Sequence, residues 1–233
     1  MSLVNDNWID KASAERSNVY WTYMLISGLG VDGTIVIIVS IIISMVIHEV
    51  MHGYAAHALG DDTAKEAGRL TLNPLKHIDI YTTILLPIVM ILIFHVPFLA
   101  AKPVPFNPNR VKFGEYGAAI VGVAGPLSNF VLACLAAVVL RTFGNGFSGN
   151  LITYSEYFIY INVALFVFNM IPFPPLDGSR LLYAFAPESV QNVMARIEAM
   201  GFTAIIFILI IFFYFLSGPI EAIDLHILNF LIG

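Results

Sequence analysis

The residues best suited to chemistry are His48-Glu49-Val50-Met51-His52. On an α-helix, positions i and i+4 share a face, so both imidazoles can reach one divalent ion at about 2.0–2.1 Å. The carboxylate one residue beyond the first histidine can then serve a metal-bound water as general base. The setting sharpens this reading. The thirteen residues before His48 hold no polar groups beyond Ser40 and Ser44, and ionisable side chains in such a stretch are costly and mark function. The chemistry expected is zinc-assisted hydrolysis.

Two histidines leave the third ligand open. A longer zinc pattern would need histidine at 58 and glycine at 55, where this chain has Ala58 and Ala55. His57 lies about 180° around the helix from His48 at about 100° per residue and should face elsewhere. Asp61, Asp62, Glu66 and Asp79 are possible carboxylates, but they sit in a polar connection where solvated acids are expected. Asp177 is the better candidate. It follows Asn169-Met170-Ile171-Pro172-Phe173-Pro174-Pro175-Leu176 and precedes Gly178. Three prolines in four positions forbid regular helix. Non-helical backbone near membrane depth is tolerated only in protein or around a wet cavity.

The elements that must position these groups lie in a bilayer. The 233 residues are 58% hydrophobic and 12% charged, against about 45–50% and about 25% in soluble domains. Their mean hydropathy is +0.83. A span needs about 20 apolar residues, and the expected segments are 35–59, 117–140, 151–171 and 194–216. A further stretch, 80–100, is interrupted by Pro87 and Pro97. Residues 1–34 read as a polar or interfacial segment, too polar at the start for a secretion signal. Residues 35–217 read as the intramembrane core and 218–233 as a C-terminal interfacial segment. One cysteine, Cys134, excludes a disulfide scaffold and a cysteine-rich zinc module. A net charge of −5 gives no footprint for nucleic acid.

An HExxH helix with NxxPxPPLDG at the end of a later span resembles the site-2 protease family of intramembrane zinc metalloproteases. The likeness runs over about residues 35–182 and is nearest to the short prokaryotic branch without PDZ or CBS domains. GRLTLNPLKHID at 68–79, AKPVPFNP at 101–108 and GPLSN at 125–129 carry it further. The resemblance implies one zinc ion per chain, held by His48, His52 and Asp177, with Glu49 activating water. It implies that Asn169 positions substrate or steadies an oxyanion, with a similar polar part for Asn129.

A peptide bond inside a transmembrane helix is masked by its own hydrogen bonds, so the substrate must unwind and have its backbone re-paired, as an added strand would be. Arg69-Leu70-Thr71-Leu72 alternates, and residues 102–108 are held extended by proline, so short membrane-associated β segments are expected there as an edge for substrate. The ligands must also share one depth. Segments 35–59 and 151–171 must then run the same way, which makes 80–100 a re-entrant or hairpin element. The expected fold is an all-α polytopic membrane protein of about four full spans plus that element.

With this topology eight of the eleven Lys and Arg fall on the active-site side: Lys65, Arg69, Lys76, Lys102, Arg110, Lys112, Arg180 and Arg196. The positive-inside rule then sets the zinc nearer the cytoplasmic face, and the resemblance implies a prokaryotic inner membrane. The expected partners are the lipid bilayer and a membrane-protein substrate with a transmembrane helix. A transporter would predict polar residues along several spans, whereas the segment 194–216 is almost purely apolar. A structural zinc site would be closed by a fourth protein ligand, and only three convincing ones are present.

Overall fold

The computed structural model describes residues 30–88, 92 and 101–233. Helix α1, Val31–Ala58, is rich in Ile and Val. Such β-branched residues are only moderate helix formers in water, but in hydrocarbon a segment must pair its own backbone groups, and the helix does so. It stops at Leu59-Gly60, where Gly60 takes φ +100, the left-handed conformation glycine adopts without strain. A short α2, Thr63–Glu66, follows. A 3₁₀ turn, Pro74–His77, is capped by the Asn73 side chain, and a π-helical turn, Ile80–Leu85, by the Asp79 carboxylate.

Among the described residues, three further long apolar segments join α1 in the bundle. They are α3, Glu115–Phe143; α4, Gly149–Asn169, capped by the Ser148 hydroxyl; and a final rod of α7, Phe202–Ile211, a π-helical turn, Phe212–Leu216, and α8, Ser217–Ile232. Between α4 and this rod lie α5, Ser179–Phe185, and α6, Glu188–Ala199.

The directions follow from the contacts. Along α1 from His48 to His52, the partner on α3 falls from Asn129 to Val121, so the two helices are antiparallel. Asn129 meets Asn162 of α4, and the Gly122 backbone lies against the Asp177 carbonyl beyond the end of α4, so α3 and α4 are antiparallel too. Helices α1 and α4 therefore run the same way, as convergent ligands require. Phe168 packs edge-on against Phe212 at 5.1 Å, and Arg141 donates to the carbonyl of Phe230, so the last rod runs back against α4. Ala133, Ala137, Leu140, Ile159, Val163, Ile220 and Leu231 form a core among α3, α4 and α8, away from the histidines.

Among the described residues, four helical segments are long and apolar enough to cross a membrane: Val31–Ala58, Glu115–Gly146, Gly149–Asn169 and Thr203–Ile232. The last corrects the sequence expectation at both ends. The segment expected over 194–216 is broken near its start, because α6 ends at Ala199 and Gly201 turns the chain with φ +56. Residues 218–233, set apart as an interfacial segment, instead continue this long helix, with Ile220, Asp224 and Leu231 buried among its neighbours.

The β segments are also corrected: the described residues contain no strand. Pro103, Pro105 and Pro108 have no N–H to give a ladder. The neighbouring N–H groups are spent singly: Lys102 donates to the His77 carbonyl (2.8 Å), Val104 to the Glu49 carboxylate (2.7 Å) and Asn107 to the Asp61 carboxylate (2.6 Å). The Arg69 N–H goes to the Ala64 carbonyl. Most of the interior of the expected re-entrant element, 89–91 and 93–100, lies outside the described residues, as do residues 1–29.

Candidate metal centre

His48 and His52 project from one face of α1, and the run of prolines beyond α4 delivers Asp177 to the same point. His48 Nε2 lies 3.0 Å from Asp177 Oδ2 and 3.0 Å from His52 Nε2, and His52 Nε2 lies 3.3 Å from Asp177 Oδ2. Ligand atoms on a tetrahedron with bonds of about 2.0–2.1 Å stand about 3.3–3.4 Å apart, so the three atoms are spaced as for one ion.

The far sides of the rings agree with this. His48 Nδ1 meets Asn129 Oδ1 at 2.6 Å, and His52 Nδ1 meets the Val121 carbonyl at 2.7 Å. Both partners are acceptors, so both Nδ1 atoms carry the ring proton and donate it, leaving the two Nε2 lone pairs turned toward each other. Two lone pairs at 3.0 Å repel unless something positive lies between them. Orienting partners of this kind are typical behind metal-binding histidines. The space itself is kept by a missing side chain. A Cβ on Gly125 would stand 2.3 Å from His52 Nε2 and 2.7 Å from His48 Nε2. The residues therefore fit a zinc ion.

The ligand set lines a cavity of about 290 Å³. Glu49 and Asn169 line it too, with Met45, Leu165 and Phe168 among its apolar walls and Ala101, Pro103, Val104 and Phe106 along one side. Glu49 is oriented by the Val104 N–H on Oε2. Asn169 Nδ2 donates to the Leu165 carbonyl at 2.9 Å, which uses one of the two N–H bonds of its amide. Arg180 reaches the same cavity from α5, paired with Glu198 of α6 at 3.1 Å and stacked over Phe106.

The remaining candidate residues lie elsewhere. Asn129 is completely buried, its Oδ1 against His48 Nδ1, and it does not line the cavity. Arg69 is buried and donates to the carbonyls of Lys102 (2.6 Å) and Pro103 (3.4 Å). Leu70 packs against Gly53, whose added Cβ would meet its Cδ2 at 2.5 Å. The Thr71 carbonyl accepts from His77, and Leu72 is exposed; neither lines the cavity. The other acids are engaged as well. His57 pairs with Asp62 at 2.6 Å, Glu66 with Arg110 at 3.4 Å, Asp61 binds Thr63 and Asn107, and Asp79 caps its own turn. Gly125, the Val121 carbonyl and Asn162 contribute to the centre without having been singled out. Of these only Gly125 carried a signal, as the first residue of GPLSN.

A buried His-His-carboxylate cluster beside a second carboxylate, held among apolar helices, defines a metal-dependent hydrolase of the membrane type. Residues 144–213 match peptidase family M50. YwhC of Bacillus subtilis (strain 168), whose name gives it as a candidate zinc metalloprotease, is 37% identical over 173 residues, 71% of this chain and 76% of its own. Rip2 of Mycolicibacterium smegmatis, named in the same way, is 28% identical over 176 residues, covering 76% of this chain and 67% of its own. MJ0611 of Methanocaldococcus jannaschii, also so named, is 28% identical over 138 residues, 59% of this chain and 63% of its own. No solved structure gives a significant match. The chain belongs to peptidase family M50, the site-2 protease family, and is a metallopeptidase by that membership.

Proposed function

We propose that this chain is an intramembrane zinc metalloprotease that hydrolyses a peptide bond within or near the transmembrane segment of a membrane-protein substrate. The observation that carries the proposal is the convergence of His48 Nε2, His52 Nε2 and Asp177 Oδ2 on one point of a cavity that also holds Glu49. One zinc ion there would bring the pKa of a water toward about 7 and polarise the scissile carbonyl. Glu49 is the general base. The Val104 N–H fixes one of its oxygens and leaves the other to take the proton from water and later return it to the leaving amine. Asn169 turns its second N–H toward the oxyanion as charge develops.

The substrate helix must be opened before its carbonyl can reach this point. The strap 101–107 is the proposed edge for the unwound backbone: it lies along the cavity, and proline keeps it extended. Arg69 acts on the substrate indirectly, by gripping that strap. The re-entrant reading of 80–100 is supported by its ends, since the His77 carbonyl and Lys102 N–H are joined at 2.8 Å and the Leu59 carbonyl and Lys112 N–H at 2.9 Å. A segment that leaves and returns at one end of the bundle makes no net crossing. With the charge asymmetry, this supports a site nearer the cytoplasmic face, in a prokaryotic inner membrane.

The test is elemental analysis of purified wild type, Glu49→Gln and Asp177→Ala, paired with cleavage of a model transmembrane peptide. About one zinc per chain is expected in wild type and Glu49→Gln, with cleavage by wild type alone and zinc lost from Asp177→Ala. Folded wild type without zinc would refute the proposal.

A further inference from the structure

Asn162, in the second half of α4, is completely buried and lines no part of the cavity. Its neighbours Ile159 and Val163 are buried apolar residues, so packing alone gives no reason for an amide, which is costly there unless fully hydrogen-bonded. Its Nδ2 donates to the Phe158 carbonyl at 2.8 Å, and its Oδ1 accepts from Asn129 Nδ2 at 3.0 Å. Asn129 Nδ2 also donates to the Ser44 carbonyl at 3.2 Å. A carbonyl only accepts. The Phe158 carbonyl therefore fixes which way the Asn162 amide lies, and Asn162 together with Ser44 fixes Asn129. The end of Asn129 left for His48 is then an acceptor, 2.6 Å from Nδ1. Turned over, the Asn129 amide would offer an N–H to Nδ1 instead, favouring the tautomer whose proton sits on Nε2 and blocks a metal.

We infer that Asn162 is a positioning residue: acting through Asn129, it holds His48 in the one tautomer and ring orientation that leaves Nε2 free for a metal ion. The inference rests on the metalloprotease reading of the site. It adds a helix, α4, to the support of a ligand on α1, from a residue outside every motif that carries the family resemblance.

The test uses the full-length chain in detergent, loaded with zinc alone, and reads the rate of zinc release to a chelator. Orienting partners of metal-bound histidines are worth about 10–100-fold in affinity. Asn162→Leu, which cannot accept a hydrogen bond, is therefore expected to speed release about tenfold. Asn162→Thr should release zinc more slowly than Asn162→Leu, because a threonine hydroxyl can donate to the carbonyl four residues back and still accept from Asn129. Ile159→Ala, a cavity-forming control on the same helix, should lower the melting temperature and leave release unchanged. In nitrogen-15 NMR of the histidines, Asn162→Leu should move proton occupancy at His48 from Nδ1 toward Nε2. If the leucine variant does not fold, Asn162→Ala takes its place. Release from the Asn162 variant as slow as from wild type, or release from Ile159→Ala just as fast, would overturn the inference and leave the metalloprotease reading standing. A folded wild type that holds no zinc would overturn both.

Discussion

Gly125 shows how little room a metal centre leaves. One methyl group at this position would overlap both Nε2 atoms. Gly125→Ala is therefore expected to abolish zinc binding and cleavage while the bundle stays helical, as elemental analysis, peptide cleavage and circular dichroism on one preparation would report. Retained zinc would mean that the helix can back away from α1. The histidine pair and Glu49 were legible in the sequence because four-residue spacing is local helix geometry. Asp177 was legible because prolines forbid helix where the chain leaves a span. The Val121 carbonyl and Asn162 were not, since a backbone acceptor carries no residue signature and a buried asparagine reads like any polar interruption of a span. Asn129 was legible as a residue and not as a role: only the packing of α3 on α1 turns it behind His48 instead of toward a substrate.

Among the elements, the strap 101–107 joins the catalytic helix to the loops. Arg69 holds the carbonyls of Lys102 and Pro103, and Glu49 takes the N–H of Val104. Arg69→Ala should leave zinc content unchanged and lower cleavage at least about tenfold, since misplacing a positioning element by about 1 Å can cost about a hundredfold. Lost zinc, or undiminished cleavage, would contradict that assignment. Asp61 ties the strap to the end of α1. Burial works to raise its carboxyl, but the Thr63 hydroxyl and the N–H groups of Asn107 and Thr63 outweigh it and hold it below its ordinary value. A lowered native value gives stability that is full above the unfolded value of about 3.9 and lost as pH falls below it toward the native one. Wild type should therefore lose stability over that acid range more steeply than Asp61→Asn, as melting temperature against pH would reveal. These ties also explain why the strap was misread as β structure: alternation and proline predict extended backbone, but they do not reveal that its N–H groups go to side chains and to the His77 carbonyl. The boundary of the last long helix was missed for a related reason. Hydropathy over 194–216 averages across Gly201, where φ +56 ends one helix and starts another, and Glu221 and Asp224 suggested an interface although Asp224 is buried among helices.

At the scale of the molecule, direction and charge make one prediction. Helices α1 and α4 run one way and α3 the other, and the loop from Leu59 to Lys112 begins and ends at the same end of the bundle. Lys76 and Lys112 should thus share a face with Asp177, and the turn at 144–148 should lie on the opposite one. By the positive-inside rule, the face with the excess of Lys and Arg is the one expected in the cytoplasm. With Cys134 replaced by alanine, single substitutions Lys76→Cys, Lys112→Cys and Asn145→Cys turn this into an accessibility measurement. A membrane-impermeant maleimide should label Asn145→Cys in intact spheroplasts, and the two lysine positions only in inverted vesicles. Labelling of Lys76→Cys and Lys112→Cys from opposite sides would mean that residues 80–100 cross fully. That outcome would separate the strap from the helix carrying Glu49, against the 2.7 Å bond that joins them. Labelling of both from outside would keep the fold and invert it. The metal would then open to the periplasm, and the substrate bond would have to be sought near the outer end of its helix.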